Sequence, residues 1–432
     1  MAVKEKDSTK QKDKIMYILA LNCGSSSLKY QVFDADTKNV VVGGLVEKIG
    51  LPDSSITQKY PDGHKDKKEV SMKDHKEALN VVIGMLQGAS VDITAIRGVG
   101  HRVVLGGEKF NSSVEINDEV LKNIDELSKI APLHNPAAMT GIVAAQQLIP
   151  AAKQVAVFDT AFYYTMPETS FRYAIPEAWY KNLKVRRYGY HGTSHLYVSK
   201  RAAAMLGKPA DKCNLITLHI GSGASAAAIR NGQAVDTSLG MTPVAGLIMG
   251  TRCGDIDAGV ILYVMQELGL TPEQMQKHLN KDSGLMGITK CFSDRRDVEA
   301  NKDTMAECRL AIDMEAHTVR KYIGAFMAEL GHVDAIVFTA GVGENDDYLR
   351  SQYCKGLEGL GIKLDEQKNK EAVARKGVDE AIISTDDSPV KIMMIATNEE
   401  LVIVEDTLAI MNGTYNPDHL KMAYSFAQQK TK

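Results

Sequence analysis

The sequence predicts an α/β protein of two similar units, each a mixed central sheet flanked by helices, with an active-site cleft between them. Three observations carry this. At 432 residues the chain is long for one hydrophobic core. An apolar strand, a glycine–serine turn and further strands occur at residues 15–34 and again, about 200 residues later, at residues 215–237. The final third alternates helical and strand patterns. The repetition is one of pattern more than identity and reads as an ancient duplication.

Taken in order, residues 1–14 (MAVKEKDSTKQKDK) are charged and lack a signal-type apolar core, so a disordered tail is expected. Residues 15–21 read as a buried strand running into the turn Gly24-Ser25-Ser26-Ser27, with strands again at 28–34 and 40–49. Pro61-Asp62-Gly63 marks a turn. Ala78, Val81, Val82, Met85 and Leu86 at helical spacing predict a helix with Asp74 as N-cap and Gly88 as stop. Residues 155–159 form a short strand ending in an acid, and a long helical segment is expected to open near Lys184 and run to Leu206. Strands at 215–220, 226–230 and 233–237 follow, the last two joined by an Asn231-Gly232 hairpin turn. A helix at 314–330, a strand at 333–339, the loop Ala340 to Asn345, a further helix and a strand at 390–396 lead to a last helix. Its start, Thr397-Asn398-Glu399-Glu400, has the form of a capping box between Thr397 and Glu400.

The composition, 44% hydrophobic and 24% charged with a mean hydropathy of -0.18, is that of an ordinary globular protein. A net charge of -3 and a pI near 6.4 argue against a nucleic-acid partner. Six cysteines without a CxxC pair argue against a zinc site or a disulfide framework and fit a reducing, cytoplasmic compartment. No apolar run approaches the roughly 18 to 20 residues of a membrane-spanning helix.

The two turns carry the first chemical signal. Glycine lets a backbone approach a ligand closely, and serine hydroxyls with successive N–H groups bind phosphate oxygens. Alone, Gly24-Ser25-Ser26-Ser27 reads as a polar hairpin. A second turn, Gly221-Ser222-Gly223-Ala224-Ser225, makes the pair a nucleotide clamp, with Lys29 adding charge beside the first. Gly221-x-Gly223-x-x-Ala226 nominally fits a dinucleotide fingerprint, but a strand and a hairpin turn follow where that motif needs a helix. The Gly207-Lys208 pair is followed by Pro209, so there is no Walker A loop.

Three cations, Arg102, His191 and Arg252, sit among glycines on separate segments, where long side chains project into a cleft. A lone arginine of this kind is usually a surface ion pair, but that reading fits at most one of the three. Phosphoryl transfer spreads negative charge over equatorial oxygens, which such donors stabilise. Asp159, at a strand's carboxyl end, points into the cleft or caps the next segment. If the capping box uses Glu400, Glu399 is free for a metal ion, and magnesium favours one or two carboxylates with phosphates and water. Gly341-Val342-Gly343-Glu344-Asn345 suits close approach of a nucleotide, and Asp294-Arg295-Arg296 is either near it or exposed charge.

Together the segments NCGSSSLKY, GHRVVLGGE, APLHNP, FDTAF, RRYGYHGTSH, VDTSLGMTPVAGLIMGTRCGDID, FTAGVGEN and TNEEL closely resemble the acetokinase family, a branch of the actin, Hsp70 and sugar kinase superfamily. The resemblance covers residues 15 to the final helix. It implies two ribonuclease H-like domains, one of residues 15–160 plus 397–432 and a nucleotide-binding, dimerising one of 161–396. It implies reversible in-line transfer from ATP to acetate, giving acetyl phosphate and ADP, with Mg2+ (or Mn2+ in its place). On that resemblance Asn22 and Glu399 would position the metal, and Ser25, Ser27 and Lys29 would lie near the phosphate. Arg102 and Arg252 would bind the carboxylate and phosphoryl groups, His191 would stabilise the transition state, and Asp159 would orient them. His134 and His219 would support, and Ile220 with Gly221, Ser222 and Gly223 would contact phosphates. Val104, Leu133, Tyr190 and Pro243 would line the acyl pocket, while Asp294, Arg295, Arg296 and Gly341 to Asn345 would hold adenosine. A homodimer is implied, with no membrane or nucleic-acid partner.

The chain departs from the family pattern at Ser222, where asparagine is usual, and at Leu105, Tyr163, Cys253 and Ala258. None removes a residue assigned to the chemistry. Ser222 is shorter than asparagine, so nucleotide affinity or phosphate position is expected to differ. A propionate or butyrate kinase is the near alternative, a pyrophosphate donor a further one. A non-kinase ATPase of the same superfamily has no use for the set Arg102, His191 and Arg252.

Overall fold

The computed structural model describes residues 15–132 and 134–429. Leu133 and the N-terminal tail, with their expected roles, lie outside the described residues.

Two sheets organise the chain. The first contains β1 (Tyr17–Cys23), β2 (Ser27–Asp34), β3 (Val40–Glu47), β4 (Ser55–Lys59), β5 (Lys65–Glu69), β6 (Ile96–Val103), β7 (Val114–Glu115) and β8 (Lys153–Phe158), in the order β5-β4-β3-β2-β1-β6-β8-β7. The second contains β9 (Leu215–Ile220), β10 (Ala224–Arg230), β11 (Gln233–Thr237), β12 (Ala335–Thr339), β13 (Glu380–Ile382) and β14 (Lys391–Ile395), in the order β11-β10-β9-β12-β14-β13. Both share one five-strand plan. The first three strands form an antiparallel meander, and the next two lie parallel to the first strand on its other side. The expected duplication is therefore present in the topology.

Every residue of β9 and β12 is buried, because helices cover both faces. Helix Gly192–Leu206 packs against β9, β12 and β14, and helix Ala306–Leu330 against β9 and β10. In the first sheet, helix Asn135–Leu148 packs on β1 and β6. The final helix, Glu399–Met411, leaves β14 of the second sheet and returns to cover β1, β6 and β8 of the first. Its approach requires glycine in β6: a Cβ on Gly100 would lie 2.4 Å from Ile403 Cγ2 and 2.5 Å from Thr407 Oγ1.

Three expectations need correction. Residues 184–191 are not helical; the helix begins at Gly192, after Gly189 and His191 take positive φ. The helix expected at 314–330 begins eight residues earlier, at Ala306. The capping box at Thr397 does not form. Asn398 is the N-cap, accepting from Leu401 N, and Glu400 instead pairs with Lys29 at 2.5 Å.

Candidate active site

The carboxyl ends of β1, β6 and β8 lie side by side and present Asn22, Arg102 and, one residue beyond β8, Asp159. Arg102 is the hub. Its Nε donates to both Asp159 oxygens at 3.2 and 3.1 Å and its Nη2 to Oδ2 at 2.5 Å. Its Nη1 reaches Asn22 Oδ1 at 3.5 Å, and Nε lies 3.7 Å from Glu399 Oε2. Asp159 is fully buried and also accepts from Thr193 Oγ1 at 3.0 Å, which ties it to the helix that follows His191. Burial opposes the charge of Arg102, but Asp159 and Glu399 more than offset this and raise its pKa.

The residues expected to hold a metal fit the purpose. Asn22 and Glu399 place oxygen donors against one guanidinium from two different elements. The carboxylates of Asp159, Glu399 and Glu400 outnumber the cations Arg102 and Lys29 around them. Burial raises the pKa of Glu399 despite the pull of Arg102, with Asp159 and Glu400 adding to the rise. A divalent ion would relieve that crowding. Among the described residues no cluster of three or more His, Cys, Asp or Glu side chains forms a cage, as suits an ion held largely by phosphate and water.

Across the cleft stands a group of imidazoles. His191 adopts a left-handed backbone (φ 58), uncommon for a residue with a Cβ and frequent where function imposes it. Its ring stacks on His219 with centroids 4.1 Å apart and planes at 15°. Its Nδ1 is 2.8 Å from Ser225 Oγ, and His219 Nδ1 is 2.8 Å from Ser194 Oγ. Burial, together with His219 and Arg102, holds the pKa of His191 well below the ordinary range. Burial and then Arg102 hold that of His219 at about 3. Burial, then Arg252 and Arg102, brings half-buried His134 to about 4. These rings are neutral at physiological pH.

Arg252 donates from Nη1 to Pro243 O at 3.1 Å, and no carboxylate pairs with it among the described residues. Burial lowers its pKa. The second turn lies over it and His191: a Cβ on Gly223 would sit 3.4 Å from His191 Nε2 and 3.6 Å from Arg252 Nη1. Those are ordinary contact distances, so Gly223→Ala is expected to fold normally while its methyl occupies the space between the imidazole and the guanidinium. The expected loss in kcat is about 10- to 100-fold, read from steady-state rates beside an unchanged melting curve.

On the outer side of that turn a cavity of about 330 Å³ collects Gly221, Ser222, Asp294, Arg296, Gly341, Val342 and Asn345, all expected at the nucleotide. Arg295 also borders it but is fully engaged elsewhere. It pairs with buried Glu315 at 2.6 Å and donates to the Gly221 and Ile248 carbonyls, so it braces the turn. Glu344 likewise turns inward, accepting from Ala340 N at 2.7 Å and Thr397 N at 2.9 Å. Ile220 is buried in β9, and the expected loop opens as a short helix, Ala340–Gly343, in which Gly343 is buried. Ser25 is exposed and Ser27 half-buried at the first turn, whose Gly24 carbonyl is 2.7 Å from His75 Nε2. In the region expected for the acyl group, Val104 is half-buried, and the Tyr190 hydroxyl donates to Met241 O at 2.5 Å, anchoring the segment that carries Pro243.

Several residues went unrecognised in sequence. Arg375 and Asp346 line the same 330 Å³ cavity, and Arg375 N is tied to Asn345 Oδ1 at 2.8 Å. His195 lies behind His191, its Nε2 2.8 Å from Ser225 Oγ and its Nδ1 2.6 Å from Thr217 Oγ1. The Tyr188-to-His195 motif contains His195, but only the i, i+4 spacing from His191 hinted that the two share a helix face.

The buried histidines also set an acid limit on the fold. Burial holds folded His101, bonded to Gln154, at about 4 against an ordinary 6.5. An unfolded chain therefore binds more protons than the native one between those values. Stability is full above about pH 6.5 and falls as pH drops toward 4, by about 1.4 kcal/mol per pH unit for each such histidine. The urea midpoint is expected to fall between pH 7 and pH 5, and less steeply in His101→Gln.

Two duplicated α/β units, an arginine and histidine cluster and a cavity beside a glycine turn suit a phosphotransferase, and the family to which the chain belongs acts on a carboxyl acceptor. The comparisons with known proteins bear this out. The model of the acetokinase family matches residues 17–405. An acetate kinase of Geobacter metallireducens is 50% identical over 419 residues, covering 96% of this chain and 99% of its own. One of Treponema pallidum is 48% identical over 417 residues, covering 95% and 92%. A crystal structure of Porphyromonas gingivalis acetate kinase matches with a TM-score of 0.86 at 44% identity, covering 92% of this chain and all of its own. A propionate kinase from Francisella tularensis matches with a TM-score of 0.85 at 39% identity, covering 90% and 98%. The chain belongs to the acetokinase family.

Proposed function

We propose that the protein is an acetate kinase, transferring the γ-phosphoryl group of ATP directly and reversibly to acetate to give acetyl phosphate and ADP. The observation that carries this is Arg252, a largely buried guanidinium with no carboxylate partner among the described residues, poised beside His191 Nε2 under the second turn. Such a group awaits an anion. Arg102, fixed by Asp159, faces the same space with its remaining donor capacity. Between them the two guanidinia hold the acceptor carboxylate and the transferring phosphoryl group in line. His191, neutral, offers a hydrogen bond to the equatorial oxygens. Asn22 and Glu399 would hold Mg2+, which neutralises phosphate charge when bound. Lys29 and the serines of the first turn lie near the transferred group, and the 330 Å³ cavity takes adenosine. Val104, Tyr190 and Pro243 limit the acyl group.

The test is the hydroxamate assay for acetyl phosphate, run with ATP and with pyrophosphate. Product with ATP alone is expected; product with pyrophosphate alone would overturn the donor. Because a methylene is worth about 1–3 kcal/mol in such a pocket, kcat/KM is expected to fall from acetate to propionate to butyrate. A preference for the longer acids would make the chain a kinase of those acids instead.

We further infer two domains, residues 15–160 with 397–432 and residues 161–396, that close on substrate and exclude water. A second copy docks on helix Ala258–Leu268, none of whose residues is buried and which exposes Leu262 at 70% and Tyr263 at 65%. An apolar helix so bare is expected to be covered. Light scattering should report a dimer for the wild type and a monomer for the double variant Leu262→Glu, Tyr263→Glu. No helix among the described residues is long and apolar enough to cross a membrane, and a cytoplasmic location fits the free cysteines.

A further inference from the structure

Behind His191 runs a line of hydrogen bonds that the transfer chemistry does not itself require. Thr217 Oγ1 is 2.6 Å from His195 Nδ1, His195 Nε2 is 2.8 Å from Ser225 Oγ, and Ser225 Oγ is 2.8 Å from His191 Nδ1. His195, Ser225 and Thr217 are all fully buried. The line starts on β9, crosses helix Gly192–Leu206, touches β10 and ends at the ring facing the cleft.

A hydroxyl has one proton to donate, and a neutral imidazole has one N–H and one lone pair. Ser225 is buried between two rings, so its own O–H is used only if it donates to one ring and accepts from the other. His195, between two hydroxyls, does the same. Were Ser225 to accept from both rings, its buried O–H would be stranded without a partner, the costly case for a buried donor. With every proton in the line used in a bond, two arrangements remain, and each fixes every proton. In one, Thr217 donates to His195 Nδ1, His195 Nε2–H donates to Ser225, and Ser225 donates to His191 Nδ1. His191 then carries its proton on Nε2, facing the space beside Arg252 and Gly223. In the other all directions reverse, and a lone pair faces that space.

We propose that Thr217, His195 and Ser225 are positioning residues that fix the tautomer of His191, so that an uncharged ring presents Nε2–H to the transferring phosphoryl group. An anionic oxygen beside Nε2 is attracted by the N–H and repelled by the lone pair, so it selects the first arrangement throughout the line. Burial keeps His191 and His195 uncharged, and the stacked His219 further opposes a charge on His191. A neutral donor held from behind needs no proton uptake before each turnover. The inference rests on the phosphoryl-transfer reading above.

The test uses the full chain with 15N-labelled histidine, bound to MgADP, acetate and aluminium fluoride. Long-range 1H–15N spectra are expected to show His191 protonated at Nε2 and bare at Nδ1. Ser225→Ala is expected to lower kcat about 10-fold, with KM for ATP and acetate within about twofold of wild type, and to lose the tautomer signature. Thr217→Val, which keeps the side-chain volume, is expected to lower kcat by about 3-fold, and Thr217→Ser to restore it. Thr217→Val also serves if Ser225→Ala does not fold. Protonation of His191 at Nδ1 in the complex, or wild-type kcat in the folded variants, overturns the proposal. His191→Ala separates the two readings: if its kcat matches wild type, the assigned role of His191 in transfer fails. If His191→Ala is impaired while Ser225→Ala and Thr217→Val are not, only the relay fails.

Discussion

Arg252→Ala is expected to lower kcat by about 100-fold or more while shifting stability by no more than about 1 kcal/mol. The rate loss is the scale set by removing one preorganised donor to a transition state. The small change in stability follows from its surroundings. The guanidinium has no carboxylate partner among the described residues, its Nη1 donates to the Pro243 carbonyl, and burial already disfavours its charge. Removing it strands no buried anion. Steady-state kinetics and a thermal melt on the same preparation check both halves. Near-wild-type turnover would sink the assignment of Arg252 to the transferring group.

Arg102→Ala is expected to lose as much activity and, unlike Arg252→Ala, to destabilise the protein by about 3–5 kcal/mol. Its guanidinium holds both oxygens of Asp159, a fully buried carboxylate, and lies beside Glu399. Without it Asp159 keeps only the Thr193 hydroxyl among these partners, and Glu399 loses its opposing charge. Equal melting curves for the two arginine variants would contradict this division of labour.

The fold was legible where burial is symmetrical. β9 and β11 were read to the residue, since a short, mostly apolar run ending at Gly221 and an Asn-Gly turn leave few alternatives. Residues 184–191 were misread because tertiary contacts override their helical spacing. Arg187 Nη1 donates to Thr237 O at 3.0 Å and approaches the Ser238 and Leu239 carbonyls, and the Tyr188 backbone donates to Gly240 O, so the chain is pulled straight. Helix Ala306–Leu330 buries Cys308, Ala311 and Ile312 in its first two turns, a helical spacing that the reading from Met314 passed over. At the capping box, local spacing lost to a charge pair 371 residues away, Glu400 with Lys29.

At the candidate site, the glycine-flanked cations and the two turns stood out in the sequence because the small residues that mark them are their chain neighbours. The supporting residues did not. Ser225 was read as the end of the second turn, but it lies in β10, and the pairing of β9 with β10 brings its hydroxyl and that of Thr217 to His195. Arg375 reaches the cavity beside the second turn from a short turn some 30 residues beyond Asn345. Glu344 and Arg295 look like ligand-facing charges in sequence but spend their bonds on backbone and on Glu315.

The return of the final helix to the first sheet has a consequence during synthesis. Ile18, Ala20, Val155 and Val157 pack against Ile403, Val404 and Leu408. The strands that carry them are complete once Phe158 is made, roughly 240 residues before the covering helix begins. At about 5–20 residues per second the ribosome leaves that apolar face bare for roughly 12 to 48 s. The nascent chain is thus a natural client for chaperones, and a product cut short before Glu399 would keep the same surface open for its whole lifetime.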